Sequence, residues 1–552
     1  MRSLAAAFVM MTTQVAAQPH DLVIGTTQFP ATLHPAIERM VAKSYIHGMV
    51  FRPITAHGPD WKPACMMCTN FPTLENGLAV RQTTPDGKPG IRVTYTWPET
   101  WVWGDGTPVS AEDLVFTYTA ARDPATGMGP AEFYRSLYRI DVDGPRQVTL
   151  HFDKVTFDFA SIGDFAPLPA HLERAIWQQG AREYRTRSRY DTETTNPGLW
   201  NGPYRISAVS PGASVTMEAN PRWAGQAPGF RRITVRTVEN TPALEAQLLS
   251  GGVDMVAGEL GLPLDQALAL EKRAGQRFTF HYQPGLVYEH IDLLLDNPIL
   301  ADVRVRRALL HGADRAQISQ RLFEGRQPVA HSSVNPLDWV HNPATPQHAH
   351  DPARARALLE EAGWRLPAQG GATDGIRRNA AGERLSLDFM TTAGNRSREL
   401  VQQVLQAQWR QVGIEVRIRN EPPRVFFAET VNKRRYGAMA MFAWVSAPES
   451  VPRSTLHSTS ISTEAGGWSG QNYTGFANAE MDSLIERIEV ELDREARAKL
   501  WARLQEIYAT ELPVLPLFFR ADAHIWPRWL DGVRPTGHLN PSTLWVEQWR
   551  RR

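Results

Sequence analysis

The amino-acid sequence predicts a mixed α/β protein with more than one domain. Segments with the hydrophobic pattern of strands alternate with helical segments along the whole chain, which is typical of α/β folds. The chain has 552 residues, whereas one domain usually takes roughly 100–200. A hydrophobic fraction of 42% and a charged fraction of 21% are those of an ordinary globular protein.

Short apolar runs predict the strands. Residues 91–96 alternate in hydrophobicity with period two, as in a half-buried strand. Two runs flank Pro211 and Gly212, and we expect them to pair around a turn. The predicted strands are residues 21–25, 91–96, 204–206, 214–217, 233–238, 253–256 and 414–418. Residues 512–519 are apolar but contain two prolines, so we expect a crossover segment rather than a central strand.

Capping residues and apolar patterns of helical period predict the helices. Ser110 and Asp113 have the spacing of a capping box at a helix start. Thr241 fits a cap, and the Pro242 that follows it fits a first helical residue. Further helices are predicted to begin at Asp302 and Asp351, to cover residues 400–412, and to begin at Asn478.

Residues 1–17 have the pattern of a signal peptide. Arg2 supplies a positive start, residues 4–13 form an apolar run too short to span a bilayer, and residues 15–17 are small. We expect cleavage near Ala17 and export to the periplasm; the alternative is a frayed helix of a cytosolic protein. No cysteine stands at the cleavage point, so the sequence does not indicate a lipid anchor.

The charge balance argues against two classes of partner. Lys and Arg number 59, and Asp and Glu number 58, so nothing favours nucleic acid or an anionic membrane surface. Beyond residue 17, no apolar run approaches the ~20 residues that a membrane helix needs. We therefore expect no nucleic-acid partner and a chain that is not embedded in a membrane.

Two clusters suggest redox or metal chemistry, and in both cases we favour a simpler interpretation. Cys65 and Cys68 have C-x-x-C spacing, but prolines at 63 and 72 place them in a loop. A local disulfide is favoured over a redox motif or half a zinc site. Four histidines have irregular spacing in a Pro/Asn-rich segment, so surface histidines are favoured over nickel or haem-iron ligands and no metal site is predicted. They are His331, His341, His348 and His350.

Several sequence blocks, taken together, resemble one known family. They include Trp103–Phe116 (WGDGTPVSAEDLVF), Asn201–Tyr204 (NGPY), Leu249–Asp254 (LSGGVD), Asp302–Ala308 (DVRVRRA), Asp351–Trp364 and Leu512–Leu517 (LPVLPL). The blocks occur in family order over about residues 21–520. The chain thus resembles the family 5 extracytoplasmic solute-binding proteins, which serve dipeptide, oligopeptide, nickel and opine ABC importers.

The resemblance implies a two-lobed, type II-like periplasmic binding protein of the large, three-subdomain form. A central cleft would lie between the lobes, and the chain would cross between them twice. Lobe I would comprise residues 18–51, 200–281 and 518–552, with an inserted subdomain at 52–199. Lobe II would comprise residues 282–517.

The resemblance also implies which segments face the ligand. Aromatic walls and a few polar groups usually hold extended ligands in such clefts. Trp444 and Tyr473 are the strongest individual candidates, and Glu449 is a candidate partner for a ligand amine because its only nearby cationic residue in sequence is Arg453. The full candidate set is Gln28, Phe29, His34, Tyr288, His290, Trp444, Ser446, Glu449, Trp468, Asn472 and Tyr473.

The sequence departs from the peptide binders of the family at two points. Those relatives carry an Asp just beyond the equivalent of Trp444, whereas residues 444–450 read WVSAPES. An Arg that holds a dipeptide carboxylate in some relatives falls near Thr392, with Arg396 and Arg398 close by. A longer peptide held mainly by its backbone, or a non-peptide ligand, therefore remains open.

The expected function is capture of a peptide or peptide-like solute and its delivery to inner-membrane ABC permease subunits with their ATPases. We expect a monomer without a cofactor. The sequence contains no nucleophile elbow, Walker loop, dinucleotide fingerprint or zinc-protease helix, so we expect no enzyme. The alternatives are a nickel, haem, opine or other non-peptide binder and, from another class, an exported hydrolase or redox enzyme.

Overall fold

One large sheet runs through the computed structural model, which describes residues 21–38, 40–129, 131–163, 165–367 and 374–552. The predicted signal peptide lies outside the described residues. The strands are β1 Asp21–Thr26, β2 Thr55–His57, β3 Pro63–Cys65, β4 Ala79–Thr83, β5 Pro89–Thr96, β6 Leu137–Gly144, β7 Gln147–Phe152, β8 Tyr204–Ser210, β9 Ser214–Ala219, β10 Arg232–Thr237, β11 Met255–Val256, β12 Phe278–Leu293, β13 Ser386–Met390, β14 Glu415–Ile418, β15 Met439–Val445, β16 Val514–Pro527, β17 Leu530–Asp531 and β18 Arg550–Arg551.

Helices pack against this sheet, as in other α/β folds. They are α1 Val41–Val50, α2 Ala111–Arg122, α3 Ala131–Ser136, α4 Ala170–Gln179, α5 Ala181–Arg187, α6 Arg189–Thr192, α7 Thr241–Ser250, α8 Leu264–Ala274, α9 Val303–His311, α10 Arg315–Phe323, α11 Pro352–Glu361, α12 Arg396–Gln411, α13 Pro423–Val425, α14 Arg453–Leu456, α15 Ala479–Val490 and α16 Arg494–Glu511. None of the described helices is long and apolar enough to cross a bilayer.

The fold is organised around the antiparallel pair β12 and β16. In the described part of the chain the large sheet has ten strands in the order β14-β13-β15-β12-β16-β11-β1-β10-β9-β8. At one end of the pair, β15 joins β12 over residues 287–293. At the other end, β11 joins β16 at Ile525. The register between β12 and β16 is irregular between Pro284 and Tyr288. Both crossings between the two lobes therefore lie within this one strand pair.

Residues 514–519 form regular β-structure within the large sheet, which corrects the expectation of a crossover rather than a central strand. They are the first part of β16 and pair with β12, with Pro516 opposite His290. β16 lies between β12 and β11 in the sheet order, although β11 reaches it only at Ile525. Next to Pro516, the short segment Pro328–Ala330 forms backbone hydrogen bonds with Leu517 and Phe519 on the second side of β16. The segment is both a strand and the second crossover.

The helix caps agree with the sequence patterns except at one helix. Ser110 and Asp113 form the expected capping box at α2, and Asn478 caps α15. At α7 the cap is Asn240, whose side chain accepts a hydrogen bond from the N–H of Ala243. The expected Thr241 cap is therefore wrong by one residue, and Thr241 is the first helical residue.

A separate four-stranded sheet lies in the first part of the chain. Its order is β4-β5-β7-β6, and it shares a hydrophobic core with β1 and β8–β10. A second core combines α9, α12 and the outer strands β13 and β15. These separate cores agree with the two-lobed architecture, while the residue bounds assigned to each lobe remain predictions.

Residues 536–540, near the C-terminus, form hydrogen bonds with the small hairpin of β2 and β3. The Trp61 indole Nε1–H donates to the carbonyl of Thr536 at 2.7 Å. His538, 6% exposed, lies 2.8 Å from the Gly58 carbonyl through Nε2, and its Nδ1 accepts from the N–H of Asn540 at 3.1 Å. Cys65, at the end of β3, is joined to Cys68 by a disulfide, as expected from their local spacing.

The His538 ring is held neutral, because one nitrogen donates and the other accepts. Burial lowers the pKa of His538 to about 4, although the hydrogen bond to Gly58 opposes the shift. Since the folded pKa lies below the unfolded value, the unfolded chain takes up the proton first as the pH falls. This contribution to stability is complete above about pH 6.5 and declines between about pH 6.5 and pH 4.

We predict that acidification from about pH 7.5 to about pH 5 removes about 2 kcal/mol of unfolding free energy through His538. Urea unfolding followed by tryptophan fluorescence measures this dependence. His538→Gln, which lacks the titrating ring, should flatten it, whereas His281→Gln, a change at an exposed histidine, should not. An equal pH dependence in wild type and His538→Gln would contradict the assignment.

Candidate functional site

A cavity of about 310 Å³ lies against the crossing strands. Tyr288, His290 and Asp292 alternate along β12, so their side chains share one face of the sheet. All three line the cavity, and the opposite wall comes from residues 444–456 and from α16. The hydroxyl of Tyr288 shares a hydrogen bond of 2.8 Å with the hydroxyl of Tyr508, which lies on α16. The floor of the cavity is thus built from the strand that joins the two lobes.

An aromatic pair forms one side of this site. Trp444 pairs opposite Tyr288 in the β12–β15 register. Its ring stacks on Tyr473 with centroids 5.9 Å apart and planes at 22°, and it meets Phe442 edge-on at 5.6 Å. Trp444 and Tyr473 are both partly buried beside the same aromatic cluster. Such faces bind apolar and planar ligand groups without fixing one ligand sequence.

The segment that follows β15 lines the first cavity and also a second cavity. Ser446 lines the first cavity, and its N–H donates to the Leu286 carbonyl at 3.3 Å. The second cavity, of about 720 Å³, lies between residues 53–63 and 154–163 on one side and α14–α16 on the other. Ala447, Ser450 and Val451 line both. The two cavities therefore adjoin at this segment, with room for an extended ligand.

Glu449 lies at this junction and is already paired within the protein. Its carboxylate accepts hydrogen bonds from the Arg497 guanidinium and from the Trp339 indole N–H at 2.8 Å. Burial raises the pKa of Glu449, while Arg497 opposes the shift. Arg453, the nearby cation in sequence, pairs with Glu489 instead. Arg497, distant in sequence and close in space, thus already pairs with this carboxylate, which also lines the second cavity; contact of Glu449 with a ligand amine stays a prediction.

His34 and Asn472 lie inside the protein and not on the cavities. His34 is fully buried; its Nδ1 accepts from Ala36 N–H, and its Nε2–H donates to the Tyr184 hydroxyl at 3.1 Å. Burial, with Lys43 and His47 nearby, lowers the pKa of His34 well below its ordinary value. The hydrogen bonds of Asn472 go to the surrounding loop, including the carbonyl of Phe476 at 2.8 Å. Both placements correct the expectation of ligand contact.

The remaining candidates are divided between the surface and the core. Gln28 is exposed, and Phe29 packs partly against the first core. Trp468 is half-buried in a loop with φ of 57°. None of these three lines the cavities described above. Arg398, the other departure noted in the sequence, pairs with Glu289 and donates to Thr392 on the opposite face of the sheet.

The histidine-rich segment does not assemble a metal site. His348 Nδ1 lies 3.4 Å from His311 Nε2, and its Nε2 lies 2.8 Å from the Ala509 carbonyl. Among the described residues, no group of three or more His, Cys, Asp or Glu side chains is arranged to hold a metal ion.

Sequence reasoning missed several cavity residues. Asp292, Asp338, Trp501 and Tyr508 line the first cavity. Asp292 was detectable, since it lies two residues beyond His290 and four beyond Tyr288 in a strand whose alternate residues share a face. The other three come from a loop and from α16, and no local pattern relates them to β12.

Comparison with known proteins finds sequence relatives and similar solved structures over nearly the whole chain. A family model described as "Bacterial extracellular solute-binding proteins, family 5 Middle" matches residues 74–465. The oligopeptide-binding protein AppA of Bacillus subtilis is 22% identical over 537 residues, covering 96% of this chain and 92% of AppA. An oligopeptide-binding protein from Thermus thermophilus, solved with a pentapeptide, superimposes with a TM-score of 0.67 at 27% identity over 95% of each chain.

A further structure supports the fold. The ABC transporter substrate-binding protein CtaP from Listeria monocytogenes has a TM-score of 0.75 at 18% identity, covering 97% of this chain and 99% of that one. The family resemblance and the two-lobed α/β fold expected from the sequence motifs are therefore confirmed.

We predict that Asn472→Ala lowers the unfolding free energy by about 2–4 kcal/mol, because it leaves buried backbone groups without partners. Chemical unfolding monitored by fluorescence measures the loss. Ser469→Ala, a change at an exposed position of the same loop, should stay within about 0.5 kcal/mol. Unchanged stability of Asn472→Ala together with weaker ligand binding would return Asn472 to the ligand site.

Proposed function

The chain belongs to the bacterial extracellular solute-binding proteins of family 5, and we propose that it captures a peptide and delivers it to an ABC permease. The observation that carries this proposal is the position of the two adjoining cavities. The first lies on β12, and the second lies between residues 53–63 and 154–163 on one side and α14–α16 on the other. A ligand that contacts both sides favours the closed arrangement of the lobes by its differential affinity for that state.

The shape and chemistry of the site favour an extended ligand. The first cavity is at the lower end of the volume range of small-molecule sites, about 300–1,000 Å³. It suits one end of a ligand, while the second cavity accommodates the remainder. Stacked aromatic side chains at Trp444 and Tyr473 offer contact area to side chains of different kinds. The names of AppA and of the Thermus protein, which was solved with a pentapeptide, also favour a peptide.

We propose that this delivery takes place in the periplasm, with inner-membrane permease subunits and their ATPases as partners. Residues 1–17 support export. The proposed role is binding without chemical change, so the ligand leaves intact. Glu449 and Glu289, two buried carboxylates near the cavities, are held by arginines in structural pairs, which is a different arrangement from an acid–base pair facing a substrate.

The experiment is native mass spectrometry of the exported protein, purified without a ligand-removal step. We expect wild type to carry short peptides that are released intact by denaturation. Trp444→Ala should lose most of this cargo because the aromatic wall is removed, with binding weakened about 10- to 100-fold. Its circular dichroism should remain that of the folded protein.

The matched control is Trp223→Ala. Trp223 packs under the Arg52 guanidinium, 5.1 Å from its ring centroid, and lies outside both cavities. This variant should retain the peptides. Release of a metal ion or haem alone from wild type would overturn the peptide assignment, and equal cargo in all three proteins would remove Trp444 from the site.

A further inference from the structure

The two walls of the second cavity contact each other at Phe157. Phe157 is half-buried and lines this cavity from the side of residues 154–163. Its N–H donates to the carbonyl of Glu489, near the end of α15, at 3.1 Å. The guanidinium carbon of Arg497 lies over its ring, 5.1 Å from the centroid. At this place the second cavity is therefore bridged by protein groups alone.

Arg497 is fixed by its other contacts. It is 7% exposed, pairs with the carboxylate of Glu449, and donates to the carbonyl of Glu491 at 2.8 Å. A guanidinium donates in its own plane, which leaves its flat faces for aromatic rings. The Trp339 ring is a second such neighbour, with its centroid 5.2 Å from the guanidinium carbon. Phe157 therefore packs on a side chain that several other groups hold in place.

The hydrogen bond to Glu489 is favourable because of its position in a helix. α15 ends at Val490, and the last carbonyls of a helix lack an N–H partner within the helix. The N–H of Phe157 supplies that partner to Glu489. The Glu489 carboxylate accepts from Arg453 of α14 at 2.6 and 2.8 Å. The acceptor of the hydrogen bond is thus also fixed by its own wall of the cavity.

The Phe157 contact lies between the junction of the two cavities and the protein surface. On the inner side, Arg497 pairs with Glu449, which belongs to the segment that lines both cavities. On the outer side, Val490 follows Glu489, is 57% exposed and lines the second cavity. A ligand that extends from the first cavity past Glu449 toward this outer rim therefore meets the ring of Phe157.

We propose that Phe157 is an end stop that limits the length of the bound peptide. The inference rests on the proposed function and adds the class of peptide by length. A peptide that ends before Phe157 leaves the contacts with Glu489 and Arg497 intact while both walls surround it. A longer peptide has to displace the ring from Arg497 and separate the N–H from the Glu489 carbonyl. The cost falls on long ligands, so Phe157 selects by length and not by peptide sequence.

A competition between peptides of different length tests this proposal. Purified protein, freed of cargo by unfolding and refolding, is mixed with equal molar amounts of random tripeptide, pentapeptide, heptapeptide and nonapeptide pools. Native mass spectrometry separates the complexes by the mass of the bound peptide. Loss of one cation–π contact and one hydrogen bond weakens binding by about 10-fold. Wild type should therefore bind the nonapeptide pool about 10-fold less than its preferred shorter pool.

Three variants locate the effect. Phe157→Ala removes the ring, so the nonapeptide pool should bind within about 3-fold of the preferred shorter pool. Phe157→Leu removes less bulk and should give an intermediate ratio, and it carries the test if Phe157→Ala does not fold. Phe159→Ala is the matched control, since Phe159 lies in the same segment, packs against the first core and lines neither cavity. This variant should keep the wild-type ratio.

Equal binding of all lengths by wild type, or a preference for the nonapeptide pool, would overturn the end stop and leave peptide capture standing. A wild-type ratio in folded Phe157→Ala would overturn the assignment to Phe157, as would an equal loss of length preference in Phe159→Ala. Binding of no pool by wild type would contradict peptide capture itself, and the length limit with it.

Discussion

The pairing of β12 with β16 is the constraint on which the rest of the structure depends. Each strand runs through both lobes, and together they carry the strands of one lobe at one end and those of the other lobe at the opposite end. The ladder is interrupted between Pro284 and Tyr288. In this interval the backbone groups of Leu286 bond outside the pair, to Gly537 and Ser446, so the β12–β16 ladder is discontinuous here and this is the expected hinge between the lobes.

The same strand supplies the floor of the first cavity. Because side chains alternate along a strand, one face of β12 presents Tyr288, His290 and Asp292, and the other presents Glu289 to Arg398 and Arg520. Burial alone would raise the pKa of Glu289, but Arg520 and Arg398 more than offset it and the pKa lies below its ordinary value. On one face the Glu289 carboxylate is paired with two arginines. On the cavity face, Nε2 of His290 is buried without a hydrogen-bond partner in the described chain. A ligand in the first cavity would therefore lie against the crossing strand itself.

Much of the fold could be predicted from the sequence, since local signals determine it. Capping residues such as Ser110 and Asn478 mark real helix starts, and the alternation in residues 233–238 marks β10. The two-lobed arrangement was predicted from the resemblance of the sequence blocks to the family. The error at residues 512–519 arose because proline disfavours the interior of a sheet, whereas the long pairing of β16 with β12 includes Pro516.

The candidate site was predicted less completely, for a physical reason. Trp444, Tyr288, His290 and Ser446 line the first cavity, and Tyr473 stacks on Trp444. By contrast, the pairing of Glu449 with Arg497 joins residues 48 positions apart, and the burial of His34 depends on Tyr184, 150 residues away. Such partners are created by tertiary packing, and no local pattern reports them.

The most direct measurement of the central claim is small-angle X-ray scattering of the purified chain with and without a saturating pentapeptide pool. If the lobes close about the interruption in the β12–β16 ladder, the radius of gyration decreases when peptide is present and returns when it is removed. Scattering curves that coincide in both states, with peptide binding verified in the same samples, would contradict closure over the ligand.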